Sequence, residues 1–396
     1  MKEFCRHIML TILAVSLTAN PFISGKSWAA ANPGSLLASA RSAEMSGSSA
    51  KALSLYRQCF KYSIVRDDAV LRVATLLLRS NELDKAQSLL EDFLDDYDSF
   101  SVTAHLALSR VFQKKGELER ALVEVERAEA LRTNDIQAKR LKALILYESG
   151  RYEPSIAIAT NVLKSDPKDE DTRYVRASAL YSQKKHREAL NDLLYITAKN
   201  PISIKAFKLQ AEVFSELADY TRARSSWEAA LKLEPQSVEV LEQLADLYAK
   251  LGKTELATEY YQRCTSLDPS LIGVRTKLGK IFLQKGLRER ARIEFEQALA
   301  FDASYDPAQY NYLKLLLDDG RNDDAGRLLK SWFRDFPEKT WLASAYARVL
   351  GLVGKQKDAL RVMKRNMKAS EYSVDAYVAM AELQENFSFK IGRAHV

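Results

Sequence analysis

Between Val238 and Leu271 the apolar positions fall in two runs of helical period. Leu241, Leu244, Ala245 and Tyr248 stand three, one and three residues apart, which puts them on one face of a helix. Gly252 then interrupts, as a residue tolerant of positive φ does at a helix C-terminus. Ala257, Tyr261, Cys264 and Leu267 make a second apolar face, and Pro269, which lacks an N–H, ends it. The pattern predicts helix, tight turn, helix and stop within 34 residues. Neither helix can bury its apolar face alone, so the pair must stack on copies of itself.

The copies keep register. The slot of Ala257 falls at Ala52, Ala86, Ala121, Ser155, Ala189, Ala223, Ala291, Ala325 and Ala359, in steps of 34 except for 35 between Ala86 and Ala121. Five residues upstream lie Gly47, Asn81, Gly116, Gly150, Lys184, Ala218, Gly252, Gly286, Gly320 and Gly354. Twelve residues downstream, five copies carry Pro167, Pro201, Pro235, Pro269 and Pro337. A second small slot holds Ala40, Ala74, Ser109, Ala143, Ala177, Ala211, Ala245 and Gly279, departs to Leu313, and returns with Ala347. Two small facing slots let paired helices approach closely, and a larger side chain there costs about 1–3 kcal/mol through overpacking. The first copy (33–66), rich in Gly and Ser, suits a polar cap, and the extra residue of the second (67–101) is expected in a loop near Asp98–Ser101.

This pattern resembles the tetratricopeptide repeat (TPR) family, whose W-x2-L-G-x2-Y…A-x3-F…P signature is matched by Leu241, Leu244, Ala245, Tyr248, Ala257, Tyr261 and Pro269. The resemblance covers most of residues 33–385. It implies an all-α fold, a right-handed α-solenoid of stacked antiparallel helix pairs. Repeats fix a fold far more firmly than a function.

Composition narrows the class. Of 396 residues, 47% are hydrophobic and 28% charged, as in an ordinary folded chain. The net charge of +7 includes +2 in the first 31 residues (Lys2, Arg6 and Lys26 against Glu3) and +2 in the last seven (Lys390 and Arg393). The repeats keep only +3, without the clustered Lys/Arg that nucleic acid requires.

Residues 1–31 read as a secretory signal peptide, with basic Lys2 and Arg6, the apolar run Ile8–Leu17 and small residues at Ala29–Ala31 for cleavage. The expected location after cleavage is the periplasm or beyond. The apolar run is too short to span a bilayer as a helix. At the other end, residues 374–385 begin an eleventh first helix. Residues 391–396 read as the translation of a sequencing adapter, so the solenoid is expected to run over 32–389, with 390–396 non-native.

Catalytic patterns are missing from the sequence. Gly273…Gly279-Lys280 is the nearest lookalike to a phosphate loop, but its spacing is one residue too long and Ile281 stands where Ser or Thr is needed. Cys59 and Cys264 occupy one slot, shared with Ala128, Ala230 and Ala298, and read as small core residues rather than a disulfide or zinc ligands. His105 and His186 fall in separate repeats without Cys or His neighbours in the pattern, and read as solvent-facing or packing residues. The expectation is a non-enzyme without cofactor, metal, small-molecule substrate or nucleic-acid partner.

What remains is surface. Slots 2, 5, 9 and 12 of each first helix make a stripe that packing leaves free, and in the family it resembles that stripe lines the concave groove. Copies four and five place there Arg140, Leu144, Tyr147, Tyr174 and Tyr181. Copies six and seven place Glu212, Glu239, Glu242 and Asp246, with Lys205 and Lys208 alongside. Copies eight to ten place Lys280, Tyr310, Lys314, Trp341 and Arg348. Exposed Tyr, Trp and Arg are residue types that anchor protein interfaces. The Lys/Asn clamp by which some TPR domains hold a C-terminal carboxylate is absent, since Glu212 stands four residues after Lys208. The expected role is an exported scaffold that binds extended or helical protein segments during assembly of an envelope complex, meeting membranes only through that complex. The rival expectation is the periplasmic arm of a larger exopolysaccharide-secretion protein.

Overall fold

The computed structural model describes residues 32–369. The expected signal segment, the expected eleventh first helix and the last seven residues lie outside them. The described residues form twenty α-helices without a strand. They group into two compact units that divide after Ala179, inside α9 (Glu170–Ser182). Each unit is an α-solenoid of stacked helix pairs.

Unit 1 pairs α1 (Pro33–Met45) with α2 (Ser49–Cys59), α3 (Ser63–Arg79) with α4 (Leu83–Asp96), α5 (Val102–Lys115) with α6 (Leu118–Leu131), and α7 (Ile136–Glu148) with α8 (Tyr152–Ser165). Unit 2 continues with α10 (His186–Lys199). It then pairs α11 (Ile204–Glu216) with α12 (Tyr220–Leu233), α13 (Val238–Lys250) with α14 (Thr254–Leu267), and α15 (Ile272–Gln284) with α16 (Arg288–Phe301). Its last pairs are α17 (Asp306–Asp318) with α18 (Asn322–Asp335) and α19 (Thr340–Leu352) with α20 (Gln356–Ala369).

Every residue of the turn slot is left-handed, with φ between 57° and 79°, including the non-glycines Asn81, Lys184 and Ala218. The next residue donates its N–H to the carbonyl five positions back, as Lys253 does to Tyr248 (2.9 Å) and Asp219 to Phe214 (2.9 Å). This six-to-one bond closes the first helix in a Schellman motif. The second helix starts at once, so the pair folds antiparallel.

Both small slots are buried throughout. Where one holds serine, the hydroxyl bonds the facing slot's backbone: Ser109 donates to the Ala121 carbonyl (2.8 Å), and Ser155 to the Ala143 carbonyl (2.7 Å). Gly279 marks the tightest approach, since a Cβ there would lie 2.6 Å from the Phe295 ring. At Leu313 the facing side chain is Leu329, not an aromatic, and α17 and α18 stand further apart than the pairs on either side. Large and small thus trade across the pair.

One boundary differs from the repeat count. α3 begins at Ser63, four residues before the second copy. No proline precedes it in the stop position, and Arg66 Nε donates to the Phe60 carbonyl (2.8 Å), which secures the early turn. The extra residue of that copy lies in the 97–101 loop between α4 and α5 as expected, and Ser101 there caps α5.

Candidate binding surfaces

The stripe slots of unit 1 carry more than the sequence reading took from them. Copies one to three present Leu37, Leu71 and Leu106 at the slot that holds Arg140 in copy four. Leu71 is exposed, while Leu37, Leu78 and Leu106 are half-buried against the unit's core. Leu144 and Tyr147 continue the line, half-buried over Ala143 and Ala159, and Tyr147 lies 6.1 Å from the Tyr152 ring. The signal was legible: leucine recurs in one slot at steps of 34 and 35.

Arg140 is committed within the unit. It donates to Asp166 (2.7 Å) and Asp169 (2.5 Å) in the loop before α9. Asp169 also accepts from the Thr172 amide and hydroxyl (3.2 and 2.5 Å), which caps α9. Burial works to raise the Asp169 carboxyl, but the Thr172 bonds and Arg140 outweigh it and hold it below the usual aspartate value. Tyr174, half-buried, completes the unit's candidates.

A cavity of about 810 Å³ lies in unit 1, walled by α4, α5 and α6 beside the 97–101 loop. His105 lines it and is buried, not solvent-facing: its Nδ1 lies 2.7 Å from the Glu124 carboxylate, which also accepts from Arg127 (2.7 Å). Glu124 thus takes both His105 and Arg127, and His105 is a packing residue.

In unit 2, Tyr181 is half-buried with its ring 5.6 Å from His186. Burial, then the charges of Glu212 and Glu216, push its hydroxyl up. Burial also raises the Glu212 carboxyl, helped by Glu239. The other stripe acids have internal cations. Lys208 meets Glu239 (2.8 Å), and Lys277 meets both Glu242 (2.8 Å) and Asp246 (2.7 Å). Asp246 also accepts from the Tyr261 hydroxyl. Lys277 stands outside the stripe slots, and the sequence reading missed it; its signal is a lysine one repeat after the acid pair.

Further along, Lys280, Lys314 and Arg348 occupy one slot on α15, α17 and α19, and all three are exposed. Tyr310 is 60% exposed beside them on α17. Trp341 donates Nε1–H to Asp306 (3.3 Å), which also accepts from Lys339 (2.7 Å). The candidates therefore sort by unit: Arg140, Leu144, Tyr147 and Tyr174 in unit 1, Tyr181 and the basic-aromatic set in unit 2.

Cys59 and Cys264 are free and fully buried within their own units. Burial pushes the Cys264 thiol up to about 11, so it stays protonated at neutral pH. Among the described residues no group of three or more His, Cys, Asp or Glu could hold a metal ion, and no helix is long and apolar enough to cross a membrane.

Family models described as tetratricopeptide repeat match residues 71–137, 238–271 and 276–381. The chain belongs to the tetratricopeptide-repeat family. A further model, for subunit 3 of the anaphase-promoting complex or cyclosome, matches residues 114–196. No curated protein matches the sequence. Among solved structures, the C-terminal part of a TPR protein from Cytophaga hutchinsonii aligns with a TM-score of 0.50 and 17% identity, covering 60% of this chain and 97% of that one. A TPR protein from Parabacteroides merdae aligns with a TM-score of 0.46 and 19% identity, covering 63% and 98%. Such identities speak to the fold alone. As a TPR protein the chain is a scaffold for protein–protein interaction.

Proposed function

We propose that this TPR protein is exported and acts in the bacterial periplasm, holding segments of partner proteins along its first-helix stripes while an envelope complex assembles. The observation that supports this most directly is the recurrence of unsatisfied surface at fixed slots. Leucine and tyrosine line the stripe of unit 1, and lysine and aromatics line the last helices of unit 2. Repeat packing leaves those side chains partly or wholly exposed, and they are spaced to contact an extended or helical ligand at several points. The reading of residues 1–31 as a cleavable leader supplies the compartment.

Two measurements test the proposal. Sequencing the N-terminus of the protein isolated from periplasm should find it starting near Ala31; an intact leader on cytosolic protein would reject export. Replacing Tyr147, Tyr174 and Tyr181 together with Ala should abolish photo-crosslinking to periplasmic partners while the helical circular-dichroism signal stays intact. Unchanged crosslinking would reject the stripe as the site.

A further inference from the structure

We propose that the groove between α18 and α20 of unit 2 docks an acidic amphipathic helix of a partner protein. The groove is walled by second helices, so this surface is separate from the first-helix stripes.

α19 packs against both α18 and α20, and its Tyr346 floors the gap between them. The gap holds a cavity of about 790 Å³. Its floor is apolar: Phe333, Tyr346 and Val362 are half-buried there, with the Phe333 and Tyr346 rings 6.4 Å apart. Its rim is basic, with Arg327, Lys330 and Arg334 from α18 and Arg365 from α20, all exposed. No carboxylate among the described residues lines this cavity. Arg327 and Arg334 meet Asp324 and Asp335 on their own helix, but these pairs are exposed and hold the cations only weakly. No described carboxylate lies within ion-pair distance of Lys330 or Arg365. A second cavity of about 600 Å³ shares Arg327, Lys330, Tyr346 and Val362 and extends the groove to Asn322, with Asp323 and Asp358 lining that end.

The repeat does not require this charge. In unit 1 the cavity over α4, α5 and α6 is built the same way, and there Glu91 and Asp95 stand in the slots of Lys330 and Arg334. The basic rim is therefore chemistry that packing leaves free to vary, and it calls for carboxylates beside an apolar face.

The spacing favours a helix as the bearer of those carboxylates. Arg327, Lys330 and Arg334 stand three and four residues apart, a rise of about 10.5 Å along α18. A helix lying along α18 has the same period, so acids at i, i+4 and i+7 cover that length and leave a neighbouring face for apolar residues. An extended chain that keeps acids on one face at i, i+2 and i+4 spans about 13 Å and falls out of step. From Asn322 to Arg334 the groove is about 18 Å long, which accommodates about three turns of helix.

Fluorescence anisotropy with the whole protein tests this. One labelled Ala-based peptide carries Glu at i, i+4 and i+7 beside Leu at i+1, i+5 and i+8. A second has the same composition with Glu at i, i+2 and i+4, aligned on a strand but not on a helix. A third is the first with Lys in place of Glu. The helical-register peptide should bind roughly fivefold tighter than the strand-register one, and the Lys peptide should not bind. Lys330→Glu with Arg365→Glu should weaken it by about tenfold or more without moving the thermal melt, since both side chains are exposed. Raising salt from about 50 to about 500 mM should weaken it too, by screening. Equal or tighter binding of the strand-register peptide, or no change on charge reversal, would overturn the inference. So would tighter binding of phosphatidylglycerol vesicles or of a single-stranded oligonucleotide, or a dimer in sedimentation that the charge reversal dissolves. The variant with Tyr147, Tyr174 and Tyr181 replaced by Ala should bind the peptide as the unaltered protein does, and loss of binding there would move the site to the stripe and overturn this assignment.

Discussion

The two units use one repeat to present two kinds of surface. In unit 1 the stripe is apolar, running through Leu71, Leu106, Leu144 and Tyr147, and its arginine is tied to Asp166 and Asp169. In unit 2 the same slots are mostly charged: acidic on α13, where Lys208 and Lys277 counter Glu239, Glu242 and Asp246, and basic on α15 and α17 at Lys280 and Lys314. The interiors differ as well. The second-helix residue that fills the space opposite the small slot tapers in unit 1 from Tyr56 through Leu90 and Val125 to Ala159, but in unit 2 it stays large through Leu193, Trp227, Tyr261, Phe295, Leu329 and Met363. Backbone register and surface chemistry are thus independent variables. The small slots and turns set the first, and the stripe sets the second at little cost to folding.

The largest difference to test is in the filler. Trp227→Ala removes the biggest buried side chain of unit 2 and should cost about 3–5 kcal/mol. Val125→Ala, in the matching slot of unit 1, should cost about 1–2 kcal/mol, from two methyl-sized groups. Urea unfolding followed by circular dichroism measures both, and equal losses would remove the contrast. Next comes the close approach. Gly279→Ala should destabilise by about 1–3 kcal/mol because its Cβ meets Phe295. Adding Phe295→Leu should recover part of that loss, as the Leu313–Leu329 pair tolerates bulk on the first helix; strict additivity would refute the trade of volumes.

Most of this architecture was legible in the sequence because helix packing is local. The positive φ of Lys184 and Ala218 could be read from their register, although neither residue favours that conformation. The stripe was legible only in position. Which acids are countered depends on where long side chains reach. Lys277 extends from outside the stripe to two carboxylates of the preceding repeat, and slot counting does not contain that. That Arg140 is tied to Asp166 and Asp169 was hidden for the same reason. His105 and Glu124 meet across two helices of one repeat, a pairing that a search for metal-ligand spacing passes over.

Smaller effects sharpen the comparison further. Ala218→Gly should stabilise unit 2 by about 1 kcal/mol by relieving a left-handed alanine, and Asn81→Gly should do less in unit 1, since asparagine tolerates that region. Thermal melts of the two variants decide it. The smallest effect is in pH. Asp169 is held below its ordinary value, so its contribution is present above pH about 4 and is lost as pH falls through the folded value. Glu212 is raised, so the folded state gains stability as pH falls through its folded value toward the ordinary glutamate range. Asp169→Asn and Glu212→Gln should therefore change the pH dependence of stability with opposite sign, each by less than about 1 kcal/mol.

The left-handed turn slot has a further consequence for how the chain can be edited. Glycine, asparagine, lysine and alanine all adopt the same turn there, so the bend belongs to the packing of the pair rather than to any one side chain. A segment cut at one slot and rejoined at the equivalent slot of the next copy is then a cassette. Its removal or duplication changes the length of the stripe by one rung without altering the residues on either side. Between Ala86 and Ala121 the cassette is 35 residues rather than 34, and an edit that ignores the 97–101 loop would shift every later slot by one, turning core positions outward along the rest of the chain.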